Sequence, residues 1–282
     1  MKRVFLSIVV TIYVGLCGFG QRNVSEIKKD FLNSSSNTVL VASHRAAHNH
    51  FPENSLAAIK EAIRLGVDIV EIDVKVTTDG VPVLMHDGTI NRTTTGKGKL
   101  EEMSFLELNQ YFLTHKGKTT THKIPTLEDA LKLAKGHILV DLDLKTDKLQ
   151  PLLDVIHKTG TEDIVFFFDS DYDALSFVDK KDKNYMLMPR AHSLPMADSA
   201  IRLFQPEVVH IDFSFYTPEV VNTIKRHKAR VWINALGPID TAIQNGNGEE
   251  ALLQLLKHGA NVIQTDEPER LLKLLKEKKI HL

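Results

Sequence analysis

Two acidic residues, Glu71 and Asp73, stand inside an otherwise apolar segment of the chain. Residues 67–87 predict a strand, a turn at Thr78-Asp79-Gly80 and a second strand that ends at His86. Strand side chains alternate between faces, so the two carboxylates point the same way. Neighbouring carboxylates repel each other unless a cation neutralises them, and oxygen ligands suit Mg²⁺ or Ca²⁺. The pattern favours a divalent cation site; a solvated polar face on an edge strand is the alternative.

Further polar residues with useful chemistry follow or interrupt other predicted strands. Carboxylates with a cation neutralise phosphoryl oxygens, and a pair of imidazoles moves protons on and off ester oxygens. This combination indicates a site for a phosphate ester. Its candidate members outside the Glu71 strand are His44, Arg45, His86, either Asp141 or Asp143, Lys145, Trp232 and Asn234.

Each candidate also has an ordinary structural explanation. His44 could be a hydrogen-bonded loop histidine, Arg45 a surface ion pair and Lys145 a solvated strand end. Trp232 could belong to the core or line a pocket. Asp143 is harder to explain, because a carboxylate within an apolar strand needs a partner. The structural explanations together require several independent coincidences at one end of a fold.

The elements that must position these residues alternate between short apolar runs and helix-period segments. This alternation predicts a (β/α)₈ TIM barrel, whose site lies at the carboxyl ends of the strands. Residues 87–125 are long and polar for a connection, so they predict an active-site excursion after the second strand. Asn54 is expected to cap the first barrel helix. An open doubly wound sheet is disfavoured, since no Gly-x-Gly-x-x-Gly follows the first strand. The predicted strands are anchored at Val39, Ile69, Ile138, Ile164, Tyr185, Val208, Val231 and Val262.

The amino-terminal residues differ from the rest of the 282-residue chain. Residues 1–20 join Lys2-Arg3 to a short apolar run and small residues, the order of a secretory signal peptide. Residues 21–37 are expected to form a polar leader and residues 38–282 the barrel domain, with export to the periplasm or the exterior. Leu16 disfavours lipoprotein cleavage before Cys17, the single cysteine, so a lipid anchor is the less favoured alternative.

Composition excludes some classes of function. The net charge of −1 argues against nucleic-acid binding, which would show a basic excess. No segment after the leader is long and apolar enough to span a bilayer. The expected partner is a small-molecule substrate, and the sequence gives no oligomeric state.

The motifs of the chain resemble those of the glycerophosphodiester phosphodiesterases. The likeness is most specific over residues 44–95 and extends over nearly all of the chain after the leader. The motifs that carry it are His44-Arg45, Pro52-Glu53-Asn54-Ser55, Glu71-Ile72-Asp73-Val74, Thr78-Asp79-Gly80, His86-Asp87, Asn91-Arg92-Thr93-Thr94, Ile124-Pro125-Thr126-Leu127, Asp143-Leu144-Lys145, Val231-Trp232 with Asn234, and Thr265-Asp266-Glu267-Pro268.

The resemblance implies a secreted, metal-dependent hydrolysis of glycerophosphodiesters to glycerol 3-phosphate and an alcohol. It implies one divalent cation, Ca²⁺ or Mg²⁺, and an internal attack through a cyclic phosphate that water later opens. The roles that it implies are catalysis by His44 and His86, metal binding by Glu71, Asp73 and Asp143, and phosphate or substrate binding by Arg45 and Lys145, to which Trp232 is added as a candidate pocket residue.

The chain departs from the family pattern at positions that affect the pocket. Ala46 follows His44-Arg45 where glycine is usual, and Asp143 is one methylene shorter than the usual Glu. Residues 166–168 are three phenylalanines where a small polar residue is common, and His48, His50, His192 and His210 are additional imidazoles. These differences affect the leaving-group pocket, and therefore which substrate is accepted, but not the type of reaction. The alternatives are a related phosphodiesterase acting on phosphoinositides or phospholipids, and a noncatalytic phosphate-binding barrel.

Overall fold

Eight parallel strands close into a barrel in the computed structural model, which describes residues 22–281. The barrel consists, in chain order, of the strands that begin at Leu40, Ile69, Leu139, Val165, Met186, Val208, Arg230 and Val262. The first strand closes the barrel by pairing with both the second and the last. The predicted (β/α)₈ fold is confirmed, and each predicted anchor lies within a barrel strand or one residue before it. The strands in the described range are β1 (Leu40–Ser43), β2 (Ile69–Val76), β3 (Pro82–Leu84), β4 (Thr114–His115), β5 (Lys118–Thr119), β6 (Leu139–Leu144), β7 (Val165–Asp169), β8 (Met186–Ala191), β9 (Val208–Ile211), β10 (Arg230–Asn234) and β11 (Val262–Thr265).

Helices follow most barrel strands and cover the outside of the barrel. The sequence analysis did not predict the helix Pro238–Gln244. The helices that the structure describes are α1 (Val24–Leu32), α2 (Leu56–Leu65), α3 (Phe105–Leu108), α4 (Leu127–Ala134), α5 (Gln150–Thr159), α6 (Tyr172–Lys181), α7 (Leu194–Phe204), α8 (Pro218–Arg226), α9 (Pro238–Gln244), α10 (Gly248–Leu256) and α11 (Pro268–Glu277). None of them is long and apolar enough to cross a membrane.

Strand β2 shows how the barrel exposes polar groups on one side only. All eight of its residues are buried. Strand side chains alternate, so Ile72 and Val74 pack outwards under the helices while Glu71 and Asp73 face the interior. Asp141 and Asp143 on β6 lie beside Glu71 and Asp73 in the register of the two strands. The neighbouring strands therefore bring four carboxyl groups into two adjacent layers.

The barrel interior beneath the polar residues is filled by aromatic side chains. Phe166 and Trp232 lie with ring centroids 6.2 Å apart, and Phe31 stacks on Phe166 at 5.0 Å. All three side chains are fully buried. This packing gives the polar site above it a rigid apolar base.

Helix α1 lies within the segment that the sequence predicts to be a polar leader. The structure differs from that expectation, because the helix buries Val24, Ile27 and Phe31 against the barrel. The guanidinium of Arg230 also donates to the carbonyls of Asp30, Phe31 and Asn33 at the end of the helix. The apolar residues at positions 24, 27 and 31 have the spacing of one helix face. The polar composition of the segment made this pattern easy to overlook in the sequence. The predicted signal peptide, residues 1–20, lies outside the described residues.

The excursion after the second strand is a small lobe with its own core. Strand β3 pairs antiparallel with β2, and a 3₁₀ turn at 100–102, α3, β4 and β5 follow before α4 begins. This lobe positions His86, which follows β3, over the barrel mouth. Its buried core consists of Val83, Met85, Ile90, Leu100, Leu108, Leu113 and Ile124.

The predicted cap of the first barrel helix is wrong by one residue. Ser55, rather than Asn54, caps α2 by accepting a hydrogen bond from the backbone N–H of Ala58. Asn54 instead takes a left-handed backbone conformation with φ 54°. Its side chain donates to Asp73 Oδ2 at 2.7 Å and accepts from the Asp73 backbone N–H at 3.1 Å. Asn54 therefore fixes a candidate metal ligand.

Candidate active site

The predicted site residues meet around a cavity of about 180 Å³ at the carboxyl end of the barrel. His44, Glu71, His86, Asp143, Lys145 and Trp232 line it, while Arg45 and Asp73 contact its carboxylates. The structure thus brings together every residue predicted for the site, and their individual roles remain predictions. The remaining lining residues are Asp141, Phe168, Met188, Arg190, His210, Asn234, Leu236 and Gln264.

Glu71, Asp73 and Asp143 form a compact carboxylate cluster. One oxygen from each lies within 4.8 Å of the others. Burial raises the pKa of Glu71 well above its ordinary range, and the neighbouring acids add to that shift. Burial also raises the pKa of Asp143 to about 7, although Lys145 opposes the change. Such an arrangement is costly unless protons or a cation neutralise it.

Two oxygens of this cluster lack hydrogen-bond donors among the described residues, which indicates a cation site rather than a complete hydrogen-bond network. Glu71 Oε1 and Asp73 Oδ1 are buried and form no hydrogen bond within residues 22–281. The other oxygen of Glu71 accepts from the Arg45 backbone N–H at 2.7 Å and from Gln264 at 3.1 Å. Each carboxylate is thus held by one oxygen while the other stays available. This donor set fits a cation that prefers oxygen ligands, such as Ca²⁺ or Mg²⁺.

Asp141 lies beside Glu71 in the register of the barrel, one layer below Asp143. The residue pattern alone left either aspartate as the candidate from this strand, whereas the family resemblance implied Asp143. The cluster contains Asp143. Asp141 is almost fully buried, and its Oδ1 has no hydrogen-bond partner among the described residues. Burial raises the pKa of Asp141 well above its ordinary range. Burial therefore favours the protonated, neutral carboxyl group of Asp141 beneath the cluster.

The two predicted basic residues both pair with the cluster. Lys145 Nζ donates to Asp143 Oδ2 at 2.7 Å and lies 3.7 Å from Asp73 Oδ1. Burial is the largest single effect and disfavours its ammonium. The charge and hydrogen bond of Asp143, together with the charges of Asp73 and Glu71, outweigh burial and raise the pKa of Lys145. Arg45 donates to Glu53 at 2.9 Å, and its Nε lies 3.5 Å from Asp73 Oδ2. Both cations are fixed at the cavity edge, where a phosphate can meet them.

The turn after β1 places Arg45 by means of an unusual backbone. Arg45 and Ala46 have φ values of 48° and 65°, in the left-handed region that favours glycine. The Ala46 backbone N–H donates to the Glu71 carbonyl at 3.0 Å, and the methyl group is buried. Ala46 therefore adopts the backbone that a glycine would adopt more easily.

Each predicted catalytic histidine is oriented by a carboxylate. His44 Nδ1 lies 2.8 Å from Asp266 Oδ1, and His86 Nδ1 lies 2.7 Å from Asp87 Oδ1. The second ring nitrogen, Nε2, is left for the cavity in both cases. Arg92 in turn holds Asp87 and Glu53 through hydrogen bonds of 2.7 Å. The guanidinium of Arg92, followed by His86, keeps the pKa of Asp87 below its usual range.

Asp266 carries two imidazoles rather than one. His48 Nε2 lies 2.9 Å from the same Oδ1 atom that His44 contacts. Burial opposes ionisation of Asp266, but these hydrogen bonds outweigh it and hold the pKa of Asp266 below its usual range. Sequence reasoning quoted the Thr265–Pro268 motif without giving Asp266 a role. A polar residue just after an apolar strand was the available signal.

The other histidines noted in the sequence divide between the site and its surroundings. His210 lines the cavity, whereas His192 contacts Asp212 at 2.8 Å and His50 lines a separate cavity. Phe168 and Trp232 lie against the His210 ring at 5.0 and 6.3 Å between centroids. Trp232 is fully buried and donates to Asn234 at 2.9 Å. It therefore belongs both to the core and to the cavity wall.

Comparisons with known proteins show which sequences this chain resembles. The model of the glycerophosphoryl diester phosphodiesterase family matches residues 44–269. A glycerophosphodiester phosphodiesterase of Caldanaerobacter subterraneus is 26% identical over 250 residues, which cover 84% of this chain and 98% of that protein. Glycerophosphodiester phosphodiesterase 1 of Bos taurus is 31% identical over 172 residues, which cover 61% of this chain. The match spans only 44% of the bovine protein.

The barrel itself is similar to solved structures. The crystal structure of a glycerophosphoryl diester phosphodiesterase from Parabacteroides distasonis superposes with a TM-score of 0.79. The comparison covers 91% of this chain and 93% of that one, at 24% sequence identity. The likeness supports the fold.

Proposed function

The chain belongs to the glycerophosphoryl diester phosphodiesterase family, and from this premise we propose that it hydrolyses glycerophosphodiesters to glycerol 3-phosphate and an alcohol. One observation carries the proposal: a carboxylate cluster, two carboxylate-held histidines and two fixed cations meet at one cavity. A phosphate diester needs neutralisation of its oxygens and proton transfer at two ester oxygens. The residues at this cavity offer both.

Glu71, Asp73 and Asp143 would hold one divalent cation, Ca²⁺ or Mg²⁺. The buried oxygens without hydrogen-bond partners among the described residues, Glu71 Oε1 and Asp73 Oδ1, are the observation that supports this assignment. When bound, the cation supplies positive charge that polarises the substrate oxygens. Asn54 and the Arg45 backbone keep the carboxylates in place through their hydrogen bonds.

Arg45 and Lys145 would bind the phosphate. Arg45 already contacts Glu53 and Asp73, and Lys145 contacts Asp143, so both side chains are held before substrate arrives. Cations fixed in this way lose little side-chain entropy on binding. Trp232 and its neighbour Asn234 complete the wall on the far side of the cavity.

His44 and His86 would transfer the protons. In the first step His44 takes the proton of the glycerol hydroxyl next to the phosphate, whose oxygen attacks phosphorus. His86 protonates the oxygen of the departing alcohol, and a cyclic phosphate results. In the second step the roles are exchanged, because water attacks the cyclic phosphate and the ring oxygen regains a proton. Internal attack avoids the entropic cost of bringing in a separate nucleophile.

A substrate panel tests the reaction. Purified protein should release glycerol 3-phosphate from glycerophosphodiesters, and excess chelator should abolish the release. Glu71→Gln removes one ligand charge and should abolish turnover without unfolding the protein, whereas the exposed Glu102→Gln should behave as wild type. Release of no glycerol 3-phosphate from any member of the panel overturns the proposed function. Full activity of Glu71→Gln in chelator overturns the cation assignment alone.

A deoxy analogue tests the route. A substrate without the hydroxyl next to the phosphate should bind as a competitive inhibitor and should not turn over. Hydrolysis of this analogue at the normal rate would show that water attacks phosphorus directly. The same panel, extended to phosphoinositides and intact phospholipids, distinguishes the related phosphodiesterase activity, and a lack of all turnover with retained phosphate binding would indicate a noncatalytic barrel.

A further inference from the structure

The cavity wall formed by β8 and β9 carries polar groups that the proposed chemistry does not use. In an eight-stranded barrel, strands four positions apart face each other, so β8 lies opposite β1 and β9 lies opposite β2. Arg190 on β8 and His210 on β9 therefore face the side that carries His44 and the carboxylate cluster. Neither residue contacts that cluster through a hydrogen bond or ion pair found among residues 22–281.

His210 is buried without satisfying its hydrogen-bonding capacity. Its exposed fraction is 3%, and neither ring nitrogen has a hydrogen-bond partner in the described part of the chain. Burial lowers the pKa of His210 to about 3, so the ring is neutral at physiological pH and offers one donor and one acceptor. Phe168 and Trp232 pack against the ring and fix its plane. A buried polar group in this state requires a partner from elsewhere.

Arg190 adds a second unfilled donor on the same wall. Its Nη2 atom donates to Asp212 at 2.6 Å, which fixes the guanidinium. Its Nε atom is buried and has no acceptor among the described residues. The two residues together offer donors for oxygen atoms. Because Asp212 compensates the charge of Arg190, this wall selects by hydrogen bonding rather than by net charge.

The chemistry of the reaction places one part of the substrate beside this wall. The attacking hydroxyl and the leaving oxygen lie on opposite sides of phosphorus in an in-line displacement. The attacking hydroxyl must lie close to His44 and the carboxylate cluster, on the β1 and β2 side. The leaving oxygen must also reach His86, which the lobe holds over the barrel mouth. The rest of the alcohol therefore points away from β1 and β2, towards β8 and β9.

We propose, on the basis of the proposed function, that His210 and Arg190 form a subsite for the leaving alcohol and select alcohols rich in hydroxyl groups. Hydroxyl oxygens both accept and donate, so a polyol satisfies the neutral imidazole and the guanidinium at once. A quaternary ammonium group can neither accept nor donate a hydrogen bond, so it leaves both the His210 ring and the Arg190 Nε atom unpaired. The subsite therefore favours polyol head groups such as glycerol or inositol over choline.

Steady-state kinetics on three substrates test this subsite. The wild-type protein should show a higher kcat/KM for glycerophosphoglycerol and glycerophosphoinositol than for glycerophosphocholine. His210→Leu should lower that preference by roughly 10-fold, the effect of one hydrogen bond of ordinary strength. His210→Gln keeps a donor and an acceptor and should retain most of the preference for the polyol substrates. Arg190→Met should weaken the preference and Arg190→Lys should retain part of it.

Two controls separate selection from damage to the fold. Arg226 is exposed at the carboxyl end of α8, where barrel helices have returned to the opposite end of the barrel, so Arg226→Met should leave all three kinetic constants unchanged. His210→Leu replaces an unpaired buried ring by an apolar side chain, so its thermal midpoint should not fall.

The outcomes that overturn the subsite are distinct from those that overturn the function. An equal loss of kcat/KM on all three substrates would assign His210 to the shared glycerol phosphate and not to the leaving alcohol. A wild-type preference for choline, or an unchanged preference in His210→Leu and Arg190→Met, also overturns the subsite while hydrolysis continues. Absence of turnover on every glycerophosphodiester overturns the proposed function and the subsite together.

Discussion

At the scale of single residues, Asp266 is a group to which the sequence gave no role and which the structure places beside His44, the proposed general base. One of its oxygens contacts both His44 and His48. If His44 transfers protons as proposed, a carboxylate in this position fixes the tautomer of its imidazole and stabilises the protonated form. His48 keeps that oxygen in place from the other side, so it acts through Asp266 as a positioning residue.

Asp266→Asn is expected to lower kcat by roughly 10²–10⁴-fold while KM changes little, because the amide keeps the shape but loses the charge that stabilises the imidazolium. His48→Gln should lower kcat by a smaller factor, since Asp266 still contacts His44. Initial rates over a range of substrate concentrations separate kcat from KM.

The matched control for His48 is His50, a nearby exposed histidine that lines another cavity. His50→Gln should retain the wild-type kcat. Full activity of Asp266→Asn would show that the carboxylate has no part in proton transfer. A loss in His50→Gln equal to that in His48→Gln would remove the positioning role of His48.

At the scale of elements, α1 closes the barrel end opposite the site. Its Phe31 side chain is fully buried and stacks on Phe166, and Arg22 pairs with the buried Asp68 at 2.8 Å. The guanidinium of Arg230 satisfies carbonyls at the end of the helix. A helix end with such a partner is anchored, because its last carbonyls otherwise lack donors.

Phe31→Ala should lower the free energy of unfolding by about 3–5 kcal/mol, the usual cost of removing a buried aromatic ring. Leu32→Ala on the same helix is the control, because Leu32 is 49% exposed and should change stability by less than about 1 kcal/mol. Urea unfolding followed by circular dichroism measures both variants. Equal stabilities of the two would mean that α1 does not contribute to the barrel core.

Helix α9 positions the loop that carries Asp266. Asp240 on this helix accepts hydrogen bonds from the Thr265 hydroxyl and, at 2.7 Å, from the Asp266 backbone N–H. Burial raises the pKa of Asp240 to about 6, and these two hydrogen bonds only partly offset that effect. The folded pKa lies above the ordinary value of 3.8. The contribution of Asp240 to stability is therefore complete below that value and is lost as the pH rises through about 6.

Asp240→Asn should consequently become more stable relative to wild type as the pH rises from 4 to 8. A pKa shift of this size changes the difference in the free energy of unfolding between the two proteins by about 3 kcal/mol. Urea unfolding of both proteins at several pH values measures this difference, in which the other titrating groups cancel. A difference that does not change with pH would show that the Asp240 carboxyl titrates normally in the folded protein.

At the scale of the whole molecule, export is the prediction that concerns residues outside the described range. Lys2-Arg3, the apolar run that follows and the small residues near 18–20 are the features that support it. We expect the protein expressed from its full sequence to be recovered outside the cytoplasm with an amino terminus near Gln21. Cell fractionation and amino-terminal sequencing test this, and recovery of cytoplasmic protein that retains Met1 would contradict it.

Much of the fold and site was accessible from the sequence because local patterns express it. Alternation along β2 placed Glu71 and Asp73 on one face. The repeated strand and helix pattern predicted the barrel, and the barrel predicted that residues after different strands would converge. Helix α9 and the packing of α1 were missed, since short amphipathic helices in polar segments give weak signals.

The sequence by itself determined the kind of fold and the residue types gathered at one barrel end, because strand and helix periods are local properties. Only the tertiary structure decided that Asp266 orients His44 and that Asn54 holds Asp73 instead of capping α2. It also decided that His210 and Arg190 keep unpaired donors on the wall facing the cluster. The physical reason is that contacts between residues 19 or 222 positions apart depend on barrel closure, register and burial, which no local sequence pattern encodes.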